Sequence, residues 1–186
     1  MKNFCYNINN VCAKSGICEA LEQTVNKDSI PVIVCIGTDA VIGDSLGPVI
    51  GSVLKKRLCG KVYIYGTLDC PITAKEINSV ADYISLVHPY SPILAIDAAI
   101  GKKEEIGLIK IADRGVKPGL GADKILRSVG DISILGIVSY RTDGNYAFMK
   151  NTRLSLVYEM ADIISEGVAR YFSVKGELPY ENTAEL

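Results

Sequence analysis

The sequence has little net charge, one histidine, no paired-cysteine motif and no long apolar run, and each shortage excludes something. Lys and Arg number 20 against 21 Asp and Glu, a formal net charge of −1 over 186 residues. A chain so balanced has no overall field to draw in nucleic acid or an acidic membrane, and neither is expected as a partner. The lone histidine, His88, excludes a zinc site built on several imidazoles. It also excludes a hydrolase that needs separate histidines as base and as ligand. Cys5, Cys12, Cys18, Cys35, Cys59 and Cys70 make no C-x-x-C pair, and Cys35 lies inside an apolar run. They read as reduced thiols of a cytoplasmic protein. No segment approaches the ~18 consecutive apolar residues of a membrane span. The start, MKNFCYNINN, lacks the roughly 7–15-residue apolar stretch of a secretory signal.

What is present is ordinary globular composition, 48% apolar and 22% charged. The length suits one α/β domain over 1–186, with 1–28 as an N-terminal extension and 173–186 as a loose polar tail. Strand-like and helix-like segments alternate. PVIVCIG (31–37) is a continuous β-branched run, as in a strand covered on both faces. Leu46, Val49, Ile50, Val53 and Leu54 then recur at helical spacing up to about residue 58, with Lys55, Lys56 and Arg57 near the end and Gly60 as a stop. Strands are predicted at 61–66, 92–97, 106–112 and 132–138. Helices are predicted at 73–87, opened by a Thr73/Glu76 capping box, and at 154–172, with a weaker one at 11–25. The alternation means βαβ units: a three-layer α/β/α sandwich on a mainly parallel sheet.

Ligands of such folds lie beyond the carboxyl ends of the strands. The loop G-T-D-A-V-I-G-D-S-L-G (37–47) joins the first of these strands to its helix. It is neither a GxGxxG nor a P-loop motif. Asp44 is either the N-cap of that helix or a site carboxylate. Asp97 ends the run ILAID and is either a loop cap or a second site carboxylate. If the two strands are neighbours, both side chains reach one cleft. Two adjacent carboxylates resist double ionisation, and such a pair can take a proton from water and return one to a leaving amine. The segment D-R-G-V-K-P-G (113–119) reads as a wide turn that presents backbone N–H groups and Lys117. Arg141, after the strand at 132–138, is either a structural turn residue or an anchor for a substrate carboxylate.

Three segments in this order, IGTDAVIGDSLGPVIGSVL, LAIDAAIG and IADRGVKPGLGADK, resemble the YyaC-type sporulation-protease family over about residues 31–172. More distantly they resemble the spore germination protease and the hydrogenase-maturation endopeptidases. The resemblance implies a phosphorylase/hydrolase-like fold, a protein or peptide substrate such as small acid-soluble spore proteins, and a place inside the sporulating cell or spore. It implies Asp44 and Asp97 as the catalytic pair. Gly37, Asp39, Asp113, Lys117, Gly119 and Arg141 are expected around the substrate. The hydrogenase-maturation enzymes carry metal-binding carboxylates and a histidine at such positions. Where the germination protease reads G-I-H-P-G, this chain reads Gly115–Val116–Lys117–Pro118–Gly119. An aspartate-only endopeptidase without a metal or other cofactor is therefore the leading expectation. A metal-dependent maturation peptidase, with Asp39 or Asp113 as third ligand, is a second reading. A non-catalytic binding or regulatory protein on the same scaffold is a third, and a homo-oligomer is compatible with all three.

Overall fold

A computed structural model of the chain describes residues 2–26, 29–59, 62–117, 128–140 and 152–174. The strands are β1 (Asn3–Asn7), β2 (Val32–Cys35), β3 (Ile64–Tyr65), β4 (Ile93–Gly101), β5 (Leu108–Ala112) and β6 (Ile132–Tyr140). The helices are α1 (Ala13–Thr24), α2 (Leu46–Arg57), α3 (Ile77–Val87) and α4 (Leu154–Val174). The six strands form one sheet in the order β1-β5-β6-β4-β2-β3.

The alternation of side chains along the strands builds two cores. Ile33, Cys35, Leu94, Ile96 and Ala98 point to one face, where Ile17 and Leu21 of α1, Leu46, Ile50 and Leu54 of α2, and Val157, Ile164 and Phe172 of α4 cover them. Val32, Val34, Ile36 and Ala95 point to the other, where Ile77 and Ile84 of α3 meet them. This is a three-layer α/β/α sandwich. All four residues of β2 are buried, as its uninterrupted apolar run requires. On the first face Gly167 lets α4 approach α1, since a Cβ there would stand 2.6 Å from that of Ile17. An ionic cluster ties the same helices. Lys14 reaches Asp162 at 2.8 Å, Arg57 reaches Asp162 at 3.5 Å and also Glu166, and Arg170 reaches Glu166 at 2.9 Å. Among the described residues no helix is long and apolar enough to cross a membrane.

The structure departs from the sequence expectations in four places. Asn3–Asn7, within the expected extension, is a sheet strand pairing antiparallel with β5, and α1 is part of the core. β4 runs on past Asp97 to Gly101, because β6 pairs with it as far as Tyr140. Thr73 and Glu76 do bond each other, but in a turn before α3. The largest departure is the direction of β5, which pairs antiparallel with β6. The link 102–107 is too short for the crossover that a parallel return needs, so the chain turns straight back. Gly60 and most of the polar tail lie outside the described residues; α2 is capped at Leu58, and Cys59 takes a left-handed φ of 47°.

Candidate functional site

The site forms where β2 stops and β4 continues. β2 and β4 are parallel neighbours, with Cys35 opposite Ile96, and the N–H of Ile36 donates to the carbonyl of Ile96. Beyond Ile36 the first strand has ended, while β4 carries Asp97 on into the gap. On its other side Asp97 faces Leu135 of β6. The loop after β2 fills the space. Gly37 enters it with a φ of 138°, which glycine accepts readily, and donates its N–H to the carbonyl of Ile72 at 2.8 Å. Residues Ile42–Ser45 form a short 3₁₀ turn that leads into α2.

That turn removes the capping reading of Asp44. Neither Asp44 nor Ser45 caps α2: no side-chain cap bond exists, and the Ser45 hydroxyl donates instead to the carbonyl of Ile42 at 2.7 Å. The backbone N–H of Thr38, which donates to the Asp44 carbonyl at 3.1 Å, also lies close enough to the Asp44 carboxyl to favour its charged form. Asp97 is buried, 8% exposed, and its carboxyl accepts the N–H of Ala98. Burial, and then the charge of Asp44, push the Asp97 carboxyl well above the usual carboxylate range, against the Ala98 N–H. Burial likewise raises Asp44, opposed by the Thr38 N–H. The charge of Asp44 thus acts on Asp97, and among the described residues no cation contributes at either carboxyl, so a second negative charge there is disfavoured. The apparent values belong to the pair.

Asp39 lies in the same loop but is exposed to solvent. Asp113 and Lys117 lie elsewhere. Lys110 and Asp97 both face Leu135, and Ala112 stands opposite Ser133, which pairs with Ala95. The chain leaving β5 therefore emerges at the amino ends of β4 and β6. There Val116 bridges Val129, and a Cβ on Gly115 would meet the backbone of Val129 and Gly130. The Asp113 carboxyl accepts the N–H of Lys2 at 2.9 Å. The expected grouping of Asp113 and Lys117 with the aspartate pair is corrected by strand direction. Gly119 and Arg141 lie outside the described residues.

Two contributors were not foreseen, the N–H groups of Thr38 and Ala98. Any residue type supplies a backbone donor, so composition carries no signal for them. His88, expected only as a helix-end residue, also stands with its Nε2 2.9 Å from the Tyr65 hydroxyl and its ring 4.3 Å from that of Tyr63. A metal of the hydrogenase-maturation kind would need a third donor beside Asp44 and Asp97. Among the described residues no three His, Cys, Asp or Glu side chains gather, so Asp39 and Asp113 do not complete such a set with the pair.

The fold and site define an α/β/α sandwich with paired carboxylates at the carboxyl edge of two adjacent parallel strands. Residues 5–167 match the family described as "Protein of unknown function (DUF1256)", and the chain belongs to that family. It is also 40% identical over 138 residues to a Bacillus subtilis (strain 168) protein named "Uncharacterized protein YyaC", a match covering 74% of this chain and 67% of that one. Neither description assigns an activity, so the functional reading rests on the site.

Proposed function

We propose that the chain is an aspartate-type endopeptidase in which Asp44 and Asp97 share one proton. The observation that carries the reading is the half-buried Asp44 carboxyl, in the turn after β2, acting on the buried Asp97 carboxyl of the neighbouring strand β4. Asp97, the more deeply buried, holds the proton and donates a hydrogen bond to the scissile carbonyl oxygen. Asp44, half-buried, is ionised and takes a proton from the attacking water. As the tetrahedral intermediate collapses, the proton taken by Asp44 passes to the leaving amine and Asp97 regains its own. The N–H groups of Thr38 and Ala98 hold the carboxyls in place, so little reorganisation accompanies the transfer.

The substrate is a protein or peptide, and small acid-soluble spore proteins are the first to try, with the interior of a sporulating cell as the place of action. The test is cleavage of those proteins by the wild type and by Asp44→Asn and Asp97→Asn. Loss of cleavage in both variants, with folding intact by circular dichroism, supports the reading. Cleavage undiminished in both overturns it.

A further inference from the structure

The helices of the first face carry charge on their solvent sides: Lys55, Lys56 and Arg57 end α2, and Glu159, Asp162 and Arg170 lie along α4. α3 is different. From Ile77 to Tyr90 the only fully charged side chain is Asp82. Its inward residues, Ile77 and Ile84, are buried against the sheet. Yet Tyr83, Leu86 and Val87, at the spacing of one helix face, point to solvent, with Leu86 80% exposed. Tyr90, just past the helix end, is 94% exposed.

The apolar surface continues onto the sheet edge. Tyr65 of β3 packs edge-on against Tyr83, with ring centroids 6.2 Å apart, and its hydroxyl meets His88. Tyr63, also exposed, packs against His88 with the rings tilted by 48°. The His88–Tyr65 bond and the ring contacts hold these aromatics in fixed positions, so little side-chain freedom remains to be lost on burial. β3 is the last strand of the sheet and pairs over only two residues.

We infer that this face, Tyr63, Tyr83, Leu86, Val87 and Tyr90, is a twofold interface with a second copy of the same chain. Charge and area both favour that occupant. A twofold contact sets each surface against itself, which like charges would oppose; this surface is almost without charge, so it suits its own image and offers little to a strongly charged partner. A fully buried tyrosine removes ~150–250 Å² from water. At their observed exposures the five side chains present on the order of 600 Å², so two copies bury about 1,200 Å², the lower bound of specific interfaces. The composition, aromatic with Leu and poor in Lys and Glu, is that of an interface centre.

The experiment is sedimentation of the full chain from about 1 to 100 μM, with Leu86→Glu and Tyr83→Glu in parallel. Both positions are solvent-exposed in the single chain, so the fold tolerates the charge, and circular dichroism checks it. The expected result is a wild-type dimer, with the dissociation constant raised at least about tenfold in each variant. Tyrosine nitration read by mass spectrometry gives a second measurement. Tyr90 becomes protected as concentration rises, while Tyr158, exposed on α4, does not. A wild type that stays monomeric throughout, whether bare on this face or covered by its own tail, overturns the inference. So does a dimer that both variants leave unchanged.

Discussion

Gly37 and Asp44 are packed so closely that a Cβ on Gly37 would stand 2.0 Å from the carbonyl oxygen of Asp44. The same carbonyl accepts the N–H of Thr38 at 3.1 Å. The loop thus closes on itself by backbone contacts, with Gly37 at the tightest point. Gly47 performs a related task one turn later: a Cβ there would stand 2.1 Å from the carbonyl oxygen of Ile36. Asp44 is aimed by these two glycines as much as by its own bonds.

Gly37→Ala is therefore expected to displace the 37–45 loop and to cost about 1–3 kcal/mol, since it adds both a clash and an unfavourable φ. At this chain length that lowers the melting temperature by roughly 2–4 °C per kcal/mol. If the loop positions the catalytic carboxylate, cleavage falls further than the loss of folded protein explains. Thermal melts and kcat/KM on the same samples separate the two effects.

If the two aspartates carry the proposed reaction, replacing either one removes its acid–base step. Asp44→Asn and Asp97→Asn should each lower kcat by about 10²–10⁴-fold. The double variant should be little worse than either single one, because the carboxylates act as a unit. Independent multiplicative losses in the double variant would show that they do not.

Stability should depend on pH through Asp97. Burial and the charge of Asp44 raise its pKa in the folded chain above the unfolded value of ~3.9. Between those two values the folded state holds a proton that the unfolded chain has released. Stability is full below the window and falls as pH rises across it, by at most about 1.4 kcal/mol per pH unit for one proton. Asp97→Asn keeps an oxygen for the Ala98 N–H and removes the charge. Its melting temperature should exceed that of the wild type at pH ~7 and converge with it near pH ~3. A constant difference between the two pH values would show that the shift is not there. Activity should follow the same group: kcat/KM should fall on the alkaline side as the shared proton is lost.

Lys117 tests the topology directly. The sequence resemblance sets it beside the aspartates, whereas the antiparallel course of β5 carries it to the opposite end of the sheet. Lys117→Ala should leave cleavage within about twofold, because a lysine at that distance is screened by solvent. A large rise in KM would place substrate across both ends of the sheet.

Glu166 is the most buried member of the ionic cluster, 9% exposed, and it takes Arg57 and Arg170 together. Arg57→Ala strands much of that charge and should cost about 2 kcal/mol. Lys14→Ala, at an exposed pair with Asp162, should cost less than about 1 kcal/mol. Urea unfolding of the two variants measures the contrast.

Much of this protein could be read locally. β2 and α2 follow from an unbroken apolar run and a 3.6-residue repeat, because burial on two faces or on one stripe writes itself directly into residue order. The adjacency of β2 and β4, with β3 on the outer side of β2, stood only as a condition in the sequence, and the sheet order supplies it. β1 could not be read that way. NFCYN is a short, half-exposed edge strand, and only its ladder with β5 makes it one. Among the last residues of β4, Ala98, Ala99 and Gly101 are small, weak strand formers held in line by β6.

The sequence by itself determined the layers, the strand-to-helix loops and the two acidic side chains. Tertiary structure decided that Asp44 is a half-buried carboxylate and not a helix cap, and that Lys117 stands away from it. Patterning records which side of an element is buried, a local matter of apolar spacing. It does not record which way a strand runs or which backbone N–H a carboxyl finds, since those depend on partners distant in the chain.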